Sequence, residues 1–242
     1  MVPRGVTSAR HRPPTTPVTT TQTVKPGRPP TAPAVSGARS LSRVTPVDVL
    51  VPVRDFADAK QRLSRRLDAD GRRKLAEVLA RRTIEALAGH RVHVVCEDDS
   101  IETWAAALGV EARRVTGGDL NSAISEALLG LVGRVAIVHA DLAEPGALGA
   151  VLTSPGNVLV PDRRGDGTNV MLLEPDCRPT PAYGYNSFTR HVERLGVEAR
   201  ATSTVLRVVH HPQLGLDVDT GADLDHPVVA ALLVREGIRV IG

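Results

Sequence analysis

The chain has 242 residues, with 30 lysines and arginines against 27 aspartates and glutamates. The first 46 residues hold seven of the basic side chains and no acidic one, which leaves 23 basic against 27 acidic residues and a formal charge of −4 for the rest. Because nucleic-acid-binding domains are basic, this distribution argues against one. The sequence also lacks the apolar run of a signal peptide or membrane span.

The two cysteines, Cys96 and Cys177, have no second Cys or His at zinc-ligand spacing beside them. Neither a disulfide nor a zinc site is therefore indicated. Together with the missing signal peptide, this predicts a cytoplasmic protein with no membrane partner.

Residues 1–45 are rich in Pro, Thr, Ser and Arg, as in "PPTTPVTTTQTVKPGRPPTAP", and show no apolar periodicity. Such a composition cannot form a core, so we predict a disordered tail over 1–45 and a single domain over 46–242. A natural tail and an extension from an upstream start codon both fit this segment.

Beyond the tail, short apolar runs alternate with segments of helical periodicity. The apolar runs predict strands, and the periodic segments, which end at glycines or follow Asp and Ser caps, predict helices. The predicted strands are 47–53, 91–97, 111–115 and the run that begins at 134, and the predicted helices are 71–87, 98–109 and 121–130. This order predicts an α/β domain with a mostly parallel sheet, helices on both faces, and ligands bound beyond the carboxyl ends of the strands.

Basic residues follow the first predicted strand in "VPVRDFADAKQRLS". Arg54, Lys60 and Arg62, with Arg65 and Arg66 just beyond, would suit a polyphosphate, since several cations can neutralise a triphosphate that one cannot. Taken alone, a solvated basic helix start explains the cluster equally simply. The sequence contains no Walker A loop.

Two glycines, Gly117 and Gly118, precede the predicted helix that contains Asn121. Free amide groups at a helix start can bind an anion, so we assign Gly118 and Asn121 to nucleotide binding. A tight turn followed by a helix cap is the alternative.

Three carboxylates occupy positions that favour a cation. Asp141 ends the apolar run "VAIVHAD", where a buried carboxylate is costly unless a cation offsets it. Asp217 and Asp219 are two apart in an extended segment and share a face. Mg²⁺ would relieve their repulsion, whereas an N-cap role for Asp141 and a solvated loop capped at Thr220 are the alternatives.

The aromatic residues are unevenly distributed. Only five occur in the chain, and three of them, Tyr183, Tyr185 and Phe188, fall within "AYGYNSF". Gly184 and Ser187 lie beside them at a predicted helix start, which suggests either a pocket wall that binds an anion or a local core.

Two apolar runs flank the charged loop of "VLVPDRRGDGTNVMLLEP" (residues 158–175), which predicts two buried strands joined by a glycine-rich hinge. A hairpin needs only a short turn, so a loop with two glycines, two arginines and two aspartates suggests anion binding.

Six segments, taken in order along the chain, resemble the 2-phospho-L-lactate and phosphoenolpyruvate guanylyltransferases of coenzyme F(420) biosynthesis. They are "VPVRDFADAKQRL", "GGDLNSAISEAL", "VAIVHADL", "VPDRRGDGTNVMLL", "YGYNSFTRH" and "LDVDTGADL". The resemblance runs from about Val47 to the C-terminus. It implies a single-domain nucleotidyltransferase of the nucleotide-diphospho-sugar transferase type, which uses Mg²⁺ and GTP and transfers GMP to a phosphorylated three-carbon acid.

The resemblance also implies roles for individual residues. Thr168, Gly184 and Ser187 would bind the acid, and Asp141, Asp217 and Asp219 would bind Mg²⁺. Arg54, Lys60, Gly118 and Asn121 are assigned to the nucleotide, with Lys60 and Arg62 as catalytic cations. The product would pass to a downstream deazaflavin transferase. The resemblance leaves open whether the protein forms a homodimer.

The sequence departs from the family pattern at two places. Tyr183-Gly184-Tyr185-Asn186-Ser187 stands where the family usually has Phe-Gly-Pro-Gly-Ser, and Ala143 stands where it usually has Pro. The first change adds bulk and polarity to the expected acid site, so the identity of the acid is open. Two other interpretations compete. One is a related nucleotidyltransferase that uses another nucleotide or another acceptor, such as 3-phosphoglycerate, a sugar phosphate or molybdopterin. The other is a non-catalytic nucleotide-sensing domain.

Overall fold

The computed structural model describes residues 46–241; the predicted disorder of residues 1–45 lies outside this range. Seven strands form the sheet: β1 Asp48–Pro52, β2 Arg91–Cys96, β3 Glu111–Arg114, β4 Val135–Val138, β5 Asn157–Pro161, β6 Thr168–Leu173 and β7 Leu206–Val208. Six α-helices accompany them: α1 Ala69–Ala86, α2 Asp99–Ala107, α3 Leu120–Ala127, α4 Leu148–Leu152, α5 Ser187–Ala201 and α6 Pro227–Arg235.

The strands follow the order β3-β2-β1-β4-β6-β5-β7. Strand β6 is antiparallel to both of its neighbours, β4 and β5, and the other neighbouring pairs are parallel. The predicted mostly parallel sheet is therefore confirmed. The two runs that flank the hinge are buried strands, as the sequence predicted, and they form the antiparallel pair β5 and β6.

Both faces of the sheet are buried. Successive residues of β1 point to opposite sides, so that Val49 and Val51 join one apolar cluster and Leu50 joins another. Helices α1, α2 and α4 contribute to the first cluster and α3 and α5 to the second. A third cluster packs α1 against α6 and the segment around Leu216 and Val218. The prediction of helices on both faces is confirmed.

The structure differs from the sequence prediction mainly at the ends of elements. Strands β1 to β3 are one or two residues shorter than predicted. The run from residue 134 was expected to pass from a strand into a loop, and β4 ends at Val138, with His139 and Asp141 in the turn beyond it. Strand β7 and helices α4 and α6 were not predicted. In β7 only Leu206 is partly buried, so the strand lacks an apolar pattern of its own. Among residues 46–241, no helix is both long and apolar enough to cross a membrane.

Candidate active site

The loop that follows β1, residues 54–66 (the β1 loop), carries the basic residues that were expected to meet a polyphosphate. It contains two short 3₁₀ helices, and the Asp55 carboxylate caps the first by accepting from the Ala57 amide at 2.9 Å. Lys60 begins the second with a left-handed backbone, φ 55° and ψ 38°. Because non-glycine residues rarely adopt this conformation, the fold holds the Lys60 side chain in place at some cost in backbone energy.

Lys60 reaches the turn after β4. Its Nζ lies 2.7 Å from Oδ2 of Asp141, and only 11 % of its side chain is exposed. Burial alone would raise the pKa of Asp141, but Lys60 and His139 outweigh it and hold that pKa below the ordinary carboxyl value. Asp141 is thus ionised at neutral pH, and within residues 46–241 its other oxygen, Oδ1, is buried without a hydrogen-bond partner.

Asp217 and Asp219 lie near Asp141, on the segment that pairs with the turn after β4. Leu142 forms an antiparallel bridge with Asp217, and the Val218 amide donates to the Asp141 carbonyl at 3.1 Å. Burial, followed by the charge of Asp141, raises the pKa of Asp217 to about 6. Asp219 is paired with Arg62 of the β1 loop. The structure therefore brings the three predicted aspartates to one place.

The expected metal site is not assembled as a ready cluster. Among residues 46–241, no group of three or more His, Cys, Asp or Glu side chains is arranged to hold a metal ion. Lys60 and Arg62 instead engage Asp141 and Asp219 directly. The donor set still suits a hard cation, because Asp141 Oδ1 lacks a partner among the described residues and repulsion from Asp141 contributes to the raised pKa of Asp217.

A cleft of about 440 Å³ opens beside these residues at the carboxyl ends of β1 and β4. Five of the predicted site residues line it: Arg54, Lys60, Arg62, Asp141 and Asp219. A second cavity of about 260 Å³ shares Arg54 and Leu120 with it and lies at the ends of β1, β2 and β3. Gly118 lines this second cavity. Adjoining spaces at one edge of the sheet suit a nucleotide and its phosphates.

Gly118 and Asn121 have contacts of different kinds. Gly118 has φ 118°, a conformation that favours glycine, and the Asp119 carboxylate caps α3 by accepting from Ser122. The Asn121 amide accepts from the Tyr183 amide at 2.6 Å and donates to the Tyr183 carbonyl at 3.2 Å. Asn121 therefore holds the aromatic segment in place, and a contact with the nucleotide stays a prediction.

The glycine-rich loop, residues 162–167, uses its charges internally. The Asp162 carboxylate accepts from the amides of Arg164, Asp166 and Gly167, each at 3.0 Å. These amides were expected to meet a phosphate or carboxylate of the substrate, but Asp162 already occupies them. The loop is thus a carboxylate-bound turn, and its glycines serve that turn.

The two arginines of this loop bind a buried carboxylate. Arg163 pairs with Asp223, and Arg164 Nη2 lies 3.0 Å from Oδ1 of the same residue, whose side chain is 1 % exposed. Asp223 also accepts from the amides of Asp219 at 3.0 Å and Thr220 at 2.6 Å. It thereby joins the glycine-rich loop to the segment that carries Asp217 and Asp219.

Thr168, Gly184 and Ser187 gather around the start of α5. Thr168 Oγ1 lies 2.9 Å from Nδ1 of His191 on that helix, and both side chains are buried. The Ser187 amide donates to the Gly184 carbonyl at 3.1 Å, and Gly184 has φ 110°. None of the three lines the two cavities described above. Asn169, next to Thr168, is 3.5 Å from Oδ1 of Asp217, which connects this group with the aspartates.

Arg190 places a positive charge beside the residues at the start of α5. Its Nη2 donates to the Tyr183 carbonyl at 3.1 Å, and a Cβ added at Gly184 would lie 3.4 Å from the same nitrogen. Asn186 adopts φ 51° before α5, which asparagine tolerates better than most residues, so the departure from glycine is accommodated. The Tyr183 ring packs between His139 and His191, at centroid distances of 5.2 and 4.6 Å.

Three residues with evident roles were missed: Asp162, Arg190 and His191. Asp223 was expected only to cap a helix start together with Thr220, and it does form that capping box, but nothing local showed that Arg163 would reach it from 60 residues away. His191 and Arg190 belong to "SFTRH", and helical spacing from Ser187 could have placed His191 on the buried face of α5.

Comparison with known proteins identifies the family. The family model described as "Guanylyl transferase CofC like" matches residues 47–230. A phosphoenolpyruvate guanylyltransferase of Sphaerobacter thermophilus is 36% identical over 73% of this chain and 89% of its own. A 2-phospho-L-lactate guanylyltransferase of Methanothermobacter thermautotrophicus is 31% identical over 72% of this chain and 81% of its own.

A solved structure supports the fold independently. A Desulfovibrio desulfuricans protein assigned as a nucleotide-diphospho-sugar transferase superposes with a TM-score of 0.59 at 16% identity, over 79% of this chain and 95% of that one. The similarity extends over nearly the whole described range, and so does the family match. The chain therefore belongs to the CofC-like guanylyl transferase family of nucleotidyltransferases.

Proposed function

We propose that this protein transfers the GMP group of GTP to the phosphate of a phosphorylated three-carbon acid, with release of pyrophosphate, in coenzyme F(420) biosynthesis. The observation that carries the proposal is the cleft in which Arg54, Lys60 and Arg62 face Asp141 and Asp219 at the carboxyl ends of β1 and β4. We name phosphoenolpyruvate as the first acceptor to test, because relatives at 36% and 34% identity bear that name, and 2-phospho-L-lactate as the second.

The cations of the β1 loop would bind the triphosphate. Arg54 is exposed and forms no ion pair within residues 46–241, so its charge is available to a ligand. Lys60 is fixed by its left-handed backbone and by Asp141. In this proposal Lys60 and Arg62 stabilise the negative charge that develops on the departing pyrophosphate, which preorganised cations do without further rearrangement.

The base and ribose of GTP would occupy the second cavity, which adjoins the cleft through Arg54 and Leu120. Gly118 lies on its wall, where the absence of a side chain allows a close approach of the nucleotide to the backbone. Asn121 would support this wall through the Tyr183 backbone.

Asp141, Asp217 and Asp219 would hold Mg²⁺, which neutralises phosphate charge when bound. Oδ1 of Asp141, which has no hydrogen-bond partner within residues 46–241, and the raised pKa of Asp217 support this assignment. Binding of Mg²⁺ measured by calorimetry, without any substrate, tests it: Asp217→Asn should weaken binding at least tenfold, whereas the exposed Asp225→Asn should not. Equal affinity in both variants would reject the assignment.

The acid would bind at the start of α5. Thr168 and Ser187 offer hydroxyl groups, Gly184 allows close approach of the backbone, and Arg190 supplies a positive charge. A carboxylate and a phosphate on three carbons need such a combination of donors and charge, since each anion loses water on binding.

The reaction needs no dedicated general base. A phosphate monoester has a second pKa near ~6 and is mostly dianionic at neutral pH. An oxygen of the acid's phosphate attacks the α-phosphorus of GTP, the bond from that phosphorus to the bridging oxygen breaks, and pyrophosphate leaves. The residues named above align two anions that repel each other and neutralise their charge.

An assay of pyrophosphate release decides the proposal. GTP, CTP and ATP are each combined with phosphoenolpyruvate, 2-phospho-L-lactate, 3-phosphoglycerate and a sugar phosphate. We expect release with GTP and one of the first two acids. Release only with another base or acceptor would replace the proposed function, and no release alongside tight GTP binding would favour a nucleotide-sensing domain.

Thr168→Val tests the acid site in the same assay. The exchange keeps the volume and removes the hydroxyl, so acceptor kcat/KM should fall by about one to two powers of ten while GTP affinity stays constant. Unchanged acceptor kcat/KM would mean that Thr168 only supports β6.

The cellular setting completes the proposal. Both cysteines, Cys96 and Cys177, are buried and unpaired, as is usual in the reducing cytoplasm. The diphosphate-linked product would be consumed by a downstream deazaflavin transferase, and size-exclusion chromatography with light scattering would test for a homodimer.

A further inference from the structure

His191 lies on the buried face of α5, in line with Ser187, Leu195 and Ala199. A histidine in an apolar stripe is commonly a core residue whose nitrogens have found local partners. Here the two ring nitrogens bind two separate parts of the chain: Nδ1 is 2.9 Å from Thr168 Oγ1 on β6, and Nε2 accepts from the Ala182 amide at 3.0 Å.

These partners define the proton position on the ring. The Ala182 amide can only donate, so Nε2 has to be the unprotonated nitrogen. Burial, followed by the positive charges of His139, Arg190 and Arg194, lowers the pKa of His191 to about 4, and the ring is neutral at pH 7. A neutral imidazole carries one proton, which is therefore on Nδ1 and is donated to Thr168 Oγ1.

The direction of this hydrogen bond affects Thr168. Because Thr168 Oγ1 accepts from His191, its own hydroxyl hydrogen remains available, and the side chain of Thr168 makes no other hydrogen bond within residues 46–241. We infer that His191 is a positioning residue: it orients the Thr168 hydroxyl so that this hydroxyl donates to an anionic oxygen of the phosphorylated acid. The inference rests on the function proposed above.

The second bond of His191 extends this role. Ala182 opens the segment that contains Gly184 and Ser187, while Thr168 belongs to the sheet. His191 is thus a direct side-chain link between the two parts of the proposed acid site, and the Tyr183 ring packs against it edge to face. Asn121 holds the same segment from α3 through the Tyr183 backbone.

Two substitutions separate the two bonds. In His191→Asn the side-chain amide can take the place of Nδ1 and still donate to Thr168, whereas in His191→Gln it reaches the place of Nε2 and still accepts from Ala182. We expect His191→Gln to raise the acceptor KM about three- to tenfold with little change in the GTP KM, and His191→Asn to raise it less. Thermal unfolding of both variants checks that they are folded.

A double-mutant cycle with Thr168→Val identifies the route of the effect. If His191 acts through Thr168, His191→Gln should change acceptor kcat/KM by less than about twofold once the Thr168 hydroxyl is absent. Full additivity of the two losses, or equal losses for GTP and acid, would assign His191 to core stability alone. No turnover by the unsubstituted protein with any acceptor would instead reject the proposed function, and this inference with it.

A measurement without turnover tests the tautomer directly. Two-bond ¹H–¹⁵N correlation spectra of the intact protein at pH 7 should show the His191 ring protonated on Nδ1 and unprotonated on Nε2. A ring protonated on Nε2, or on both nitrogens, would overturn the inference, because the hydrogen bonds of His191 to Ala182 and Thr168 would then not fix Thr168 Oγ1 as a hydrogen-bond acceptor.

Discussion

The β1 loop (54–66) and the glycine-rich loop (162–167) are both dense in charge, and each follows a buried strand. In the β1 loop, Lys60 and Arg62 pair with carboxylates that line the cleft, and Arg54 stays without an ion pair in the described range. In the glycine-rich loop, Arg163 and Arg164 both bind the buried Asp223. In the proposed function, basic residues at a strand end thus serve a ligand in the β1 loop, whereas those of the glycine-rich loop serve the fold.

The difference follows from the partner carboxylates. Asp223 accepts from two backbone amides and two guanidinium groups, so its charge is satisfied within the protein. Asp141 has one oxygen on Lys60, and its other oxygen is buried without a partner in the part of the chain that the structure describes. A carboxylate with unused lone pairs can accept a further cation, whereas a saturated one stabilises the chain around it.

The largest effect that this comparison predicts concerns Lys60. Lys60→Ala should lower kcat about 100- to 1000-fold, because it removes a preorganised cation from the proposed phosphate site. Steady-state kinetics at saturating GTP measure the loss, with Arg73→Ala, an exposed position on α1, as the matched charge control. A loss below about threefold would place the β1 loop with the glycine-rich loop as a structural element.

At Asp223 we expect the substitution to lower stability, in contrast to the loss of kcat expected at Lys60. Asp223→Asn leaves two arginines without their buried partner and should lower the free energy of unfolding by about 3 kcal/mol. Hydrogen bonds and Arg164 hold its pKa below the ordinary value despite burial, so this stability is present at neutral pH and declines in acid. Urea unfolding measures it.

The control for Asp223 is Asp225→Asn, which removes an exposed ion pair with Arg66 and should leave the free energy of unfolding nearly unchanged, because solvent screens this pair. Equal costs for the two variants would remove the distinction between a saturated buried carboxylate and a surface one.

A pH series sharpens the comparison at the end of the glycine-rich loop, where His191 holds Thr168. The pKa of His191 is about 4 in the fold against 6.5 for a free side chain, so the unfolded chain binds the proton first as the pH falls. Stability should therefore fall between pH 6.5 and pH 4. Between pH 7 and pH 5 the unsubstituted protein should lose about 2 kcal/mol more than His191→Gln. Parallel curves for both proteins would contradict the neutral ring.

The smallest effect should come from the third basic region, residues 1–45. Its sequence offers neither a core pattern nor a carboxylate to pair with its arginines. Deleting it should change turnover by less than about twofold and leave the unfolding midpoint nearly constant. Aggregation or loss of turnover in the truncated protein would show that this region has a partner within the domain.

Much of the fold was predictable because it depends on local pattern. The alternation of Val49, Leu50 and Val51 buries both faces of β1, and Asp68 and Asp119 cap the helices that follow them. The edge strand β7 was missed because its residues are mostly exposed and short-range pattern does not mark it. Helix α6 buries Val229, Leu232 and Leu233, whose spacing is an apolar face that local pattern does mark.

For the candidate site, the sequence alone determined which residue types stand at the strand ends: Arg54, Lys60, Asp141 and the pair Asp217 and Asp219. Only the tertiary structure decided which of these charges are paired within the protein. Lys60 meets Asp141 across 81 residues, Arg163 meets Asp223 across 60, and His191 fixes Thr168 across 23. A charge or a hydrogen bond acts over a few ångströms in space, and the sequence does not specify that distance until the chain has folded.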